Sequence, residues 1–356
     1  MRPRFHTLRI ADVSRDTPEA IVLRFAVPDH LREAYRFTPG QYLTLRATID
    51  GEDLRRSYSI CSAPGEPLAV GIRRIEGGVF SVWANTALKP GDSIGVMTPD
   101  GRFALPPAPP DGRTVAAFVA GSGITPVLSI LKTVLSGEPA SRFFLFYGNR
   151  TTGSIMFRGV LEDLKDRYLS RLSVFHVLSR EQQDVAVLNG RLDGEKLRLL
   201  LRTILPATAI DQALICGPQP MIEGLPAVLA ELGVPPAAIH VERFTPSAGA
   251  RRKPPPAEAT GAAPAAIATV ISEGIRNDVP VVAGETIIDA ALRAGRALPY
   301  SCKGGMCCTC RARLLEGQVE MAANYSLEPW ELAAGYVLTC QATPTTRRVV
   351  VDFDQV

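Results

Sequence analysis

The sequence predicts a multi-domain chain: an antiparallel β-barrel, then an α/β domain with a parallel sheet, then a smaller domain of strands around one helix. Three observations carry that reading. The first part alternates short apolar runs with turn residues, the middle alternates strand-like and helix-like periods, and two proline-rich joints, LPPAPPDGR at 105–113 and PSAGARRKPPPAEATGAAPA at 246–265, interrupt both patterns.

In the first domain, expected over 1–108, the runs AIVLRFAV, QYLTLRATI and LAVGIRRI have the length and spacing of strands in a small barrel. The second, expected over 113–245, begins with TVAAFVAGSGITPVLSILKTVL, an apolar strand that turns through Gly121-Ser122-Gly123 into a helix with Pro126 in its first turn. Later strands are FFLFYGNR, LSVFHVL and DQALICG. The second joint reads as a flexible linker over 246–265; a chain of about 20 residues spans roughly 25 Å on average and at most about 66 Å, and its prolines stiffen it. The last domain, over 266–356, reads as two strands, a helix from Thr286 to Ala294, a cysteine-rich loop and further short strands.

Composition narrows the function classes. The chain has 356 residues, 46% of them hydrophobic, and a net charge of +3, which is too small for a nucleic-acid footprint. No run reaches the roughly 18 apolar residues of a membrane span. The N-terminus MRPRFHTLRI lacks the apolar core of a secretory leader, so a cytoplasmic protein is expected. Between Ile267 and Val356 there are 8 Lys and Arg against 10 Asp and Glu, so this segment carries about −2 and the rest about +5. An acidic carrier beside a basic body is compatible with electrostatic docking.

Cys302, Cys307, Cys310 and Cys340 follow C-x-x-x-x-C-x-x-C with a distant fourth cysteine, the ligand spacing of a plant-type 2Fe-2S cluster. Gly304 and Gly305 lack the Cβ atoms that would keep a loop backbone from wrapping such a cluster. Zinc usually takes two close pairs or a pair with nearby histidines, whereas the four histidines here all precede residue 241. A disulfide framework would need an oxidising compartment. Cys308, between two ligands, reads as a packing or hydrogen-bonding residue.

Gly121-Ser122-Gly123 is a phosphate-cradling turn at a helix N-terminus, with Thr125 and Pro126 in the turn that follows. A third glycine and the acidic residue that would hold a ribose 2'-hydroxyl are both missing, and Asn149-Arg150 ends the second strand. Ser179-Arg180 follows the third, a hydroxyl beside a guanidinium, which favours NADPH over NADH. Cys216-Gly217-Pro218 ends the fourth at the ligand-binding edge of the sheet; a buried cysteine there reads either as inert packing or as a residue facing the nicotinamide.

Arg56-Ser57-Tyr58-Ser59, Gly77-Gly78-Val79-Phe80-Ser81, GSGITP and CGPQPM, in this order, resemble the ferredoxin-NADP reductase superfamily over residues 1 to about 245. The resemblance implies FAD beside the barrel, with Arg56 on the pyrophosphate, Ser57 in the same motif, Tyr58 against the isoalloxazine and Ser59 near flavin N5. It also implies that Gly78, Val79, Phe80 and Ser81 hold the diphosphate at a helix N-terminus, and that Thr125 and Cys216 flank the nicotinamide. Phe244, in VERF, covers the flavin by the same likeness, or is a core phenylalanine. Residues 267–356 are similar to plant-type ferredoxins of β-grasp fold. A flavin reductase followed by a ferredoxin is the layout of oxygenase reductases, and GMCCTCRARLLEG with MAANYSLEPWELAAGYVLTCQATP resembles the reductase subunits of phenylacetyl-CoA epoxidase complexes.

A dinucleotide gives two electrons as a hydride while the cluster takes one at a time, so a flavin is expected between them. Hydride transfer needs approach to roughly 3–3.5 Å and no general base; Tyr58, Ser59 and Cys216 would orient and tune it. The expected acceptor is a separate, di-iron, multi-subunit oxygenase. Reductases of other aromatic-ring, steroid or alkane oxygenases, and a stand-alone flavin oxidase or dye reductase, share parts of this layout. A cluster-based redox sensor would carry a DNA-binding or signalling module, and nothing in the sequence resembles one.

Overall fold

Residues 4–244 and 264–355 are described by the computed structural model, so the linker expected at 246–265 lies outside them except for Pro264 and Ala265. The first unit, Phe5–Phe244, opens with β1 (Phe5–Thr17), β2 (Ala20–Ala26), β3 (Tyr42–Ile49), β4 (Glu52–Ser59), β5 (Ala69–Arg73), helix α1 (Val79–Thr86) and β6 (Ser93–Met97). These strands form one antiparallel sheet in the order β4-β3-β6-β1-β2-β5. An antiparallel bridge between Ile60 and Val70 joins the two ends, which closes the barrel and leaves no long free edge. Alternating residues such as Leu8 and Ile10, Leu43 and Leu45, and Val70 and Ile72 fill its interior, and Phe80 of α1 packs with them.

The second half of this unit runs β7 (Thr114–Ala120), α2 (Ile124–Gly137), β8 (Arg142–Asn149), α3 (Arg158–Arg167), β9 (Leu172–Leu178), α4 (Gly194–Thr203), β10 (Gln212–Cys216), α5 (Gln219–Glu231) and β11 (Ile239–Glu242). All its pairs are parallel and the order is β11-β10-β7-β8-β9. The order reverses between β7 and β10, so their carboxyl ends frame the crevice in which sheets of this kind bind ligands.

Barrel and parallel sheet share one apolar seam, in which Ala20, Val22, Cys61 and Ala69 meet Ile124, Leu128, Met156 and Phe157. Gly71 on β5 lies at its tightest point. A Cβ there would stand 2.8 Å from Thr125 Cγ2 and 3.0 Å from the Phe157 ring. A second link is polar. Phe157, left-handed at φ 58°, precedes α3 and supplies no side-chain cap, and its N–H donates instead to both carboxylate oxygens of Asp16 on β1, at 2.9 and 3.1 Å. Burial raises the Asp16 carboxyl while the Phe157 bond lowers it.

The C-terminal unit contains β12 (Ala266–Ser272), β13 (Ile275–Val281), α6 (Ile287–Arg293), β14 (Arg311–Glu316), β15 (Val319–Met321), α7 (Pro329–Ala333), β16 (Tyr336–Leu338), β17 (Ala342–Pro344) and β18 (Arg348–Asp352). Its main sheet, β13-β12-β18-β14-β16, pairs the first and last strands in parallel at its centre, with a small two-stranded antiparallel sheet, β15-β17, beside it, which is the expected β-grasp. Thr286 caps α6 by accepting from the Asp289 N–H, so the helix lies where the sequence places it. Among the described residues no helix is long and apolar enough to cross a membrane.

The cap between Asp16 and Phe157 gives a direct test. Asp16→Ala should lower stability by about 1 kcal/mol, as the loss of an N-terminal helix acceptor does, and Asp16→Asn by less, since it keeps an acceptor oxygen. Urea denaturation followed by circular dichroism measures both, and an Asp16→Ala midpoint equal to wild type would remove this bond from the account.

Candidate functional site

At the crevice, Gly121 takes φ +55° and its carbonyl accepts a hydrogen bond from the buried Tyr147 hydroxyl at 2.9 Å. The Thr125 hydroxyl donates to the Ser122 carbonyl at 2.9 Å, and both Thr125 and Pro126 are buried in the first turn of α2. Gly123 packs against the end of β10, where a Cβ would collide with the Cys216 carbonyl. The turn thus lies close against Cys216-Gly217, and Pro218 then starts α5. A side chain at Gly121 would also meet the Arg73 guanidinium from β5, whose other partner is Glu19 at 3.2 Å. This backbone-lined cradle beside a cation fits a dinucleotide pyrophosphate.

Cys216 is fully buried; desolvation first, and then the charge of Glu242, pushes its thiol well above the usual range. It stays a neutral thiol rather than a nucleophile. Glu242 stands opposite it in the β10-β11 register, and burial pushes its carboxyl up to about 8. Desolvation at this partly exposed position thus disfavours a negative charge beside Cys216. Farther along the sheet edge, Ser179 and Arg180 are exposed and tied to the end of β8 by backbone bonds from Ser179 to Asn149 and from Arg180 to Arg150. The carboxylate of Glu181 accepts from the N–H and the hydroxyl of Thr152.

On the barrel, β4 presents Arg56 exposed, Ser57 and Tyr58 half-buried, and Ser59 buried. The Ser57 hydroxyl lies 3.3 Å from that of Thr44, and the Tyr58 ring packs at 5.8 Å on Phe80. Burial raises the Tyr58 phenol against the pull of the nearby Arg56 charge. Phe80 itself is 1% exposed and belongs to the barrel core, so only its backbone is available to a ligand, whereas Val79 is exposed. Ser81 is used within the turn, accepting from the Ile75 N–H and donating to the Gly78 carbonyl, both at 3.1 Å. It shapes the uncapped start of α1, whose free N–H groups fit a diphosphate. Phe244 is 40% exposed, which removes its reading as a core residue.

In the C-terminal unit the four thiols fall into two hydrogen-bonded pairs, Cys302 with Cys307 and Cys310 with Cys340. Within the first pair the bond from Cys307 holds Cys302 down to about 6, and Cys307 is driven up; in the second the bond from Cys310 lowers Cys340. Cys302 Sγ also accepts from the Gly304 and Met306 N–H groups at 3.3 and 3.4 Å. The Gln341 amide reaches Cys340 Sγ at 3.6 Å. Two thiol pairs suit two irons, each taking two thiolates, better than one ion at a shared centre. Gly305, at φ +77°, leaves only 3.0 Å between a would-be Cβ and the Ala323 carbonyl, so the loop needs glycine there.

Family comparison agrees with each part. The oxidoreductase FAD-binding domain family matches residues 7–105, the oxidoreductase NAD-binding domain family 118–226, and the 2Fe-2S iron-sulfur cluster binding domain family 270–345. A component of the 1,2-phenylacetyl-CoA epoxidase from Escherichia coli (strain K12) is 47% identical, with 98% of each chain covered. The chain belongs to the family of oxygenase reductases. Another relative of this oxygenase reductase is the ferredoxin reductase component of 3-ketosteroid-9-alpha-monooxygenase from Rhodococcus rhodochrous, 33% identical over 97% of this chain and 96% of that one. Phthalate dioxygenase reductase shares the fold at TM-score 0.59 and 21% identity, with 98% of both chains covered.

Sequence reasoning did not single out Glu242, Arg73 or Tyr147, which the structure brings beside the predicted reductase turns. Glu242 was in view inside VERF, but only the β10-β11 register brings it to Cys216; Arg73 sat unremarked in LAVGIRRI.

The raised Glu242 pKa has a thermodynamic consequence. A folded pKa of about 8, above the ordinary carboxyl value, stabilises the fold fully below about pH 4.5, and that contribution is lost as pH rises through about 8. Denaturation midpoints of the wild type should therefore fall relative to those of Glu242→Gln between about pH 5 and 8. Parallel pH profiles would mean that the carboxyl is not held protonated.

Proposed function

We propose that the protein takes a hydride from NADPH and delivers single electrons, by way of FAD and a 2Fe-2S cluster on Cys302, Cys307, Cys310 and Cys340, to a separate oxygenase, the di-iron phenylacetyl-CoA epoxidase. The observation that carries the relay is the glycine-shaped loop holding Cys302, Cys307 and Cys310, with the Gly304 and Met306 N–H groups turned on the Cys302 sulfur and Cys340 supplied just after β16. The 47% identity to the Escherichia coli epoxidase component supports the choice of partner. Cys61, Cys216 and Cys308, outside the proposed ligand set, form no disulfide among the described residues, in keeping with a reducing cytoplasm.

When bound, FAD accepts two electrons together and releases them singly, which joins a hydride donor to a one-electron acceptor. The chain's own residues bind, orient and exclude water. Gly121, Ser122 and Gly123 offer the start of α2 to the dinucleotide pyrophosphate, and Arg73 adds a cation there. Gly217 and Pro218 continue that wall. Thr125 and Cys216, both buried beside Gly123, would form the wall against which a nicotinamide is held. Tyr58 and Ser59 on β4, with Cys216, orient the reacting rings, and Arg56, Ser57, Gly78, Val79, the Phe80 backbone and Ser81 hold the flavin phosphates. Phe244, exposed just beyond Glu242, is free to cover the flavin.

NADPH is preferred to NADH on electrostatic grounds. Arg150 and Arg180 are both exposed at adjoining strand ends, and the Glu181 carboxylate is turned to the Thr152 N–H and hydroxyl rather than paired with either arginine, which leaves both guanidinium groups open to a 2'-phosphate. Two experiments test the reading. Purified holoprotein should couple NADPH oxidation to phenylacetyl-CoA epoxidation when mixed with that oxygenase, and should fail with a steroid or ring-hydroxylating oxygenase; equal coupling to all would sink the assignment of partner. Arg180→Ala should raise KM for NADPH about tenfold, the worth of one charge-assisted phosphate contact, and leave KM for NADH unchanged. Equal changes for both cofactors would place the 2'-phosphate elsewhere.

A further inference from the structure

The cluster loop is gripped by the segment 323–331, and most of that grip is uncharged. The Tyr325 N–H and the Ser326 hydroxyl donate to the Gly305 carbonyl at 3.0 and 3.1 Å, and the Cys308 thiol donates to the Ser326 carbonyl at 3.3 Å. The last contact is different. Arg311, the residue after Cys310, forms an ion pair with Glu331 of α7, and its guanidinium lies over the Tyr336 ring at 5.1 Å. Glu331 is 0% exposed, and its second oxygen accepts the Glu328 N–H at 3.0 Å. The Arg311 N–H meanwhile donates to the Cys308 carbonyl at 2.9 Å, which ties the cation's backbone to the loop.

A buried ion pair contributes little net stability, because desolvation of both groups offsets their attraction. Its field is another matter, since in a poorly polarisable interior a charge is felt farther and is screened less than at the surface. Cys310, adjacent in the chain, is 2% exposed. The other ion pair of the loop, Lys303 with Asp289, has a lysine that is 41% exposed and is therefore better screened.

We propose that the Arg311–Glu331 pair holds the reduction potential of the cluster steady by charge balance, with Glu331 cancelling a guanidinium that would otherwise favour the reduced state. The inference rests on the reading of Cys302, Cys307, Cys310 and Cys340 as ligands of two irons. Reduction there adds one electron, with no bond made and no proton required, so the site becomes one unit more negative. An unbalanced Arg311 stabilises that state and raises the potential; an unbalanced Glu331 lowers it. Arg311 and Glu331 are thus positioning residues that act through charge.

The test is a redox titration of the full-length holoprotein followed by EPR of the reduced two-iron signal, with iron content measured in parallel. Glu331→Gln should shift the one-electron equilibrium about tenfold toward reduction, 59 mV for one electron, and Arg311→Gln about tenfold the other way. The double variant should return to within about threefold of wild type, a cancellation that a merely structural pair would not produce. Arg311→Lys keeps the charge in case the Gln variants shed iron, and its potential should stay near wild type; a tenfold negative displacement overturns the proposal. Shifts of the same sign in both Gln variants, or none with iron retained, overturn it as well. A wild-type protein with no two-iron signal overturns the cysteine reading, and this inference with it.

Discussion

The absence of a side chain at Gly71 is the constraint on which the hydride end of the molecule depends. A methyl group there would press on the Thr125 methyl and the Phe157 ring together, so that one of these side chains or the strand would have to move. Thr125 lies two residues beyond Gly123, which packs more tightly still against the Cys216 carbonyl. Two glycines thus set a chain of close backbone approaches from β5 to the start of α2 to the end of β10. Each ordinary side chain around them is then held by packing rather than by its own rotamer preference.

The fold was legible in the sequence because each segment obeys a different period. Two-residue alternation in AIVLRFAV and QYLTLRATI, alternating strands and helices after residue 113, and the cysteine spacing near the C-terminus each point to one architecture. The phosphate turn and the thiols were legible for a related reason, since glycines and ligands at short spacing act locally. What stayed hidden depends on register and long-range contact. Asp16 and Phe157 are 141 residues apart, and Glu242 reaches Cys216 only through strand pairing. Phe80 shows the opposite limit: it lies inside a ligand-binding motif, yet its ring serves the barrel core, because a motif records which residues occur together and not which way each one points.

The two ends of the relay use different chemistry. Around the crevice most of the work falls to backbone groups, hydroxyls and a thiol that stays protonated, with cations confined to Arg73 and the exposed arginines of the strand ends. In the C-terminal unit backbone N–H groups converge on the Cys302 sulfur, and the Cys308 thiol is turned away to the Ser326 carbonyl.

The carboxylate of Asp16 at the start of α3 has a bearing on recombination between relatives. The nucleotide-binding half does not contain every group that completes its own helices; one acceptor is lent by the first strand of its neighbour. A chimera that grafts this half onto a foreign flavin barrel would leave the amide of Phe157 without its acceptor unless the donor strand brought an acid to the same place. Swapping cofactor preference by exchanging whole modules is therefore a question of seam chemistry as much as of the pocket being exchanged.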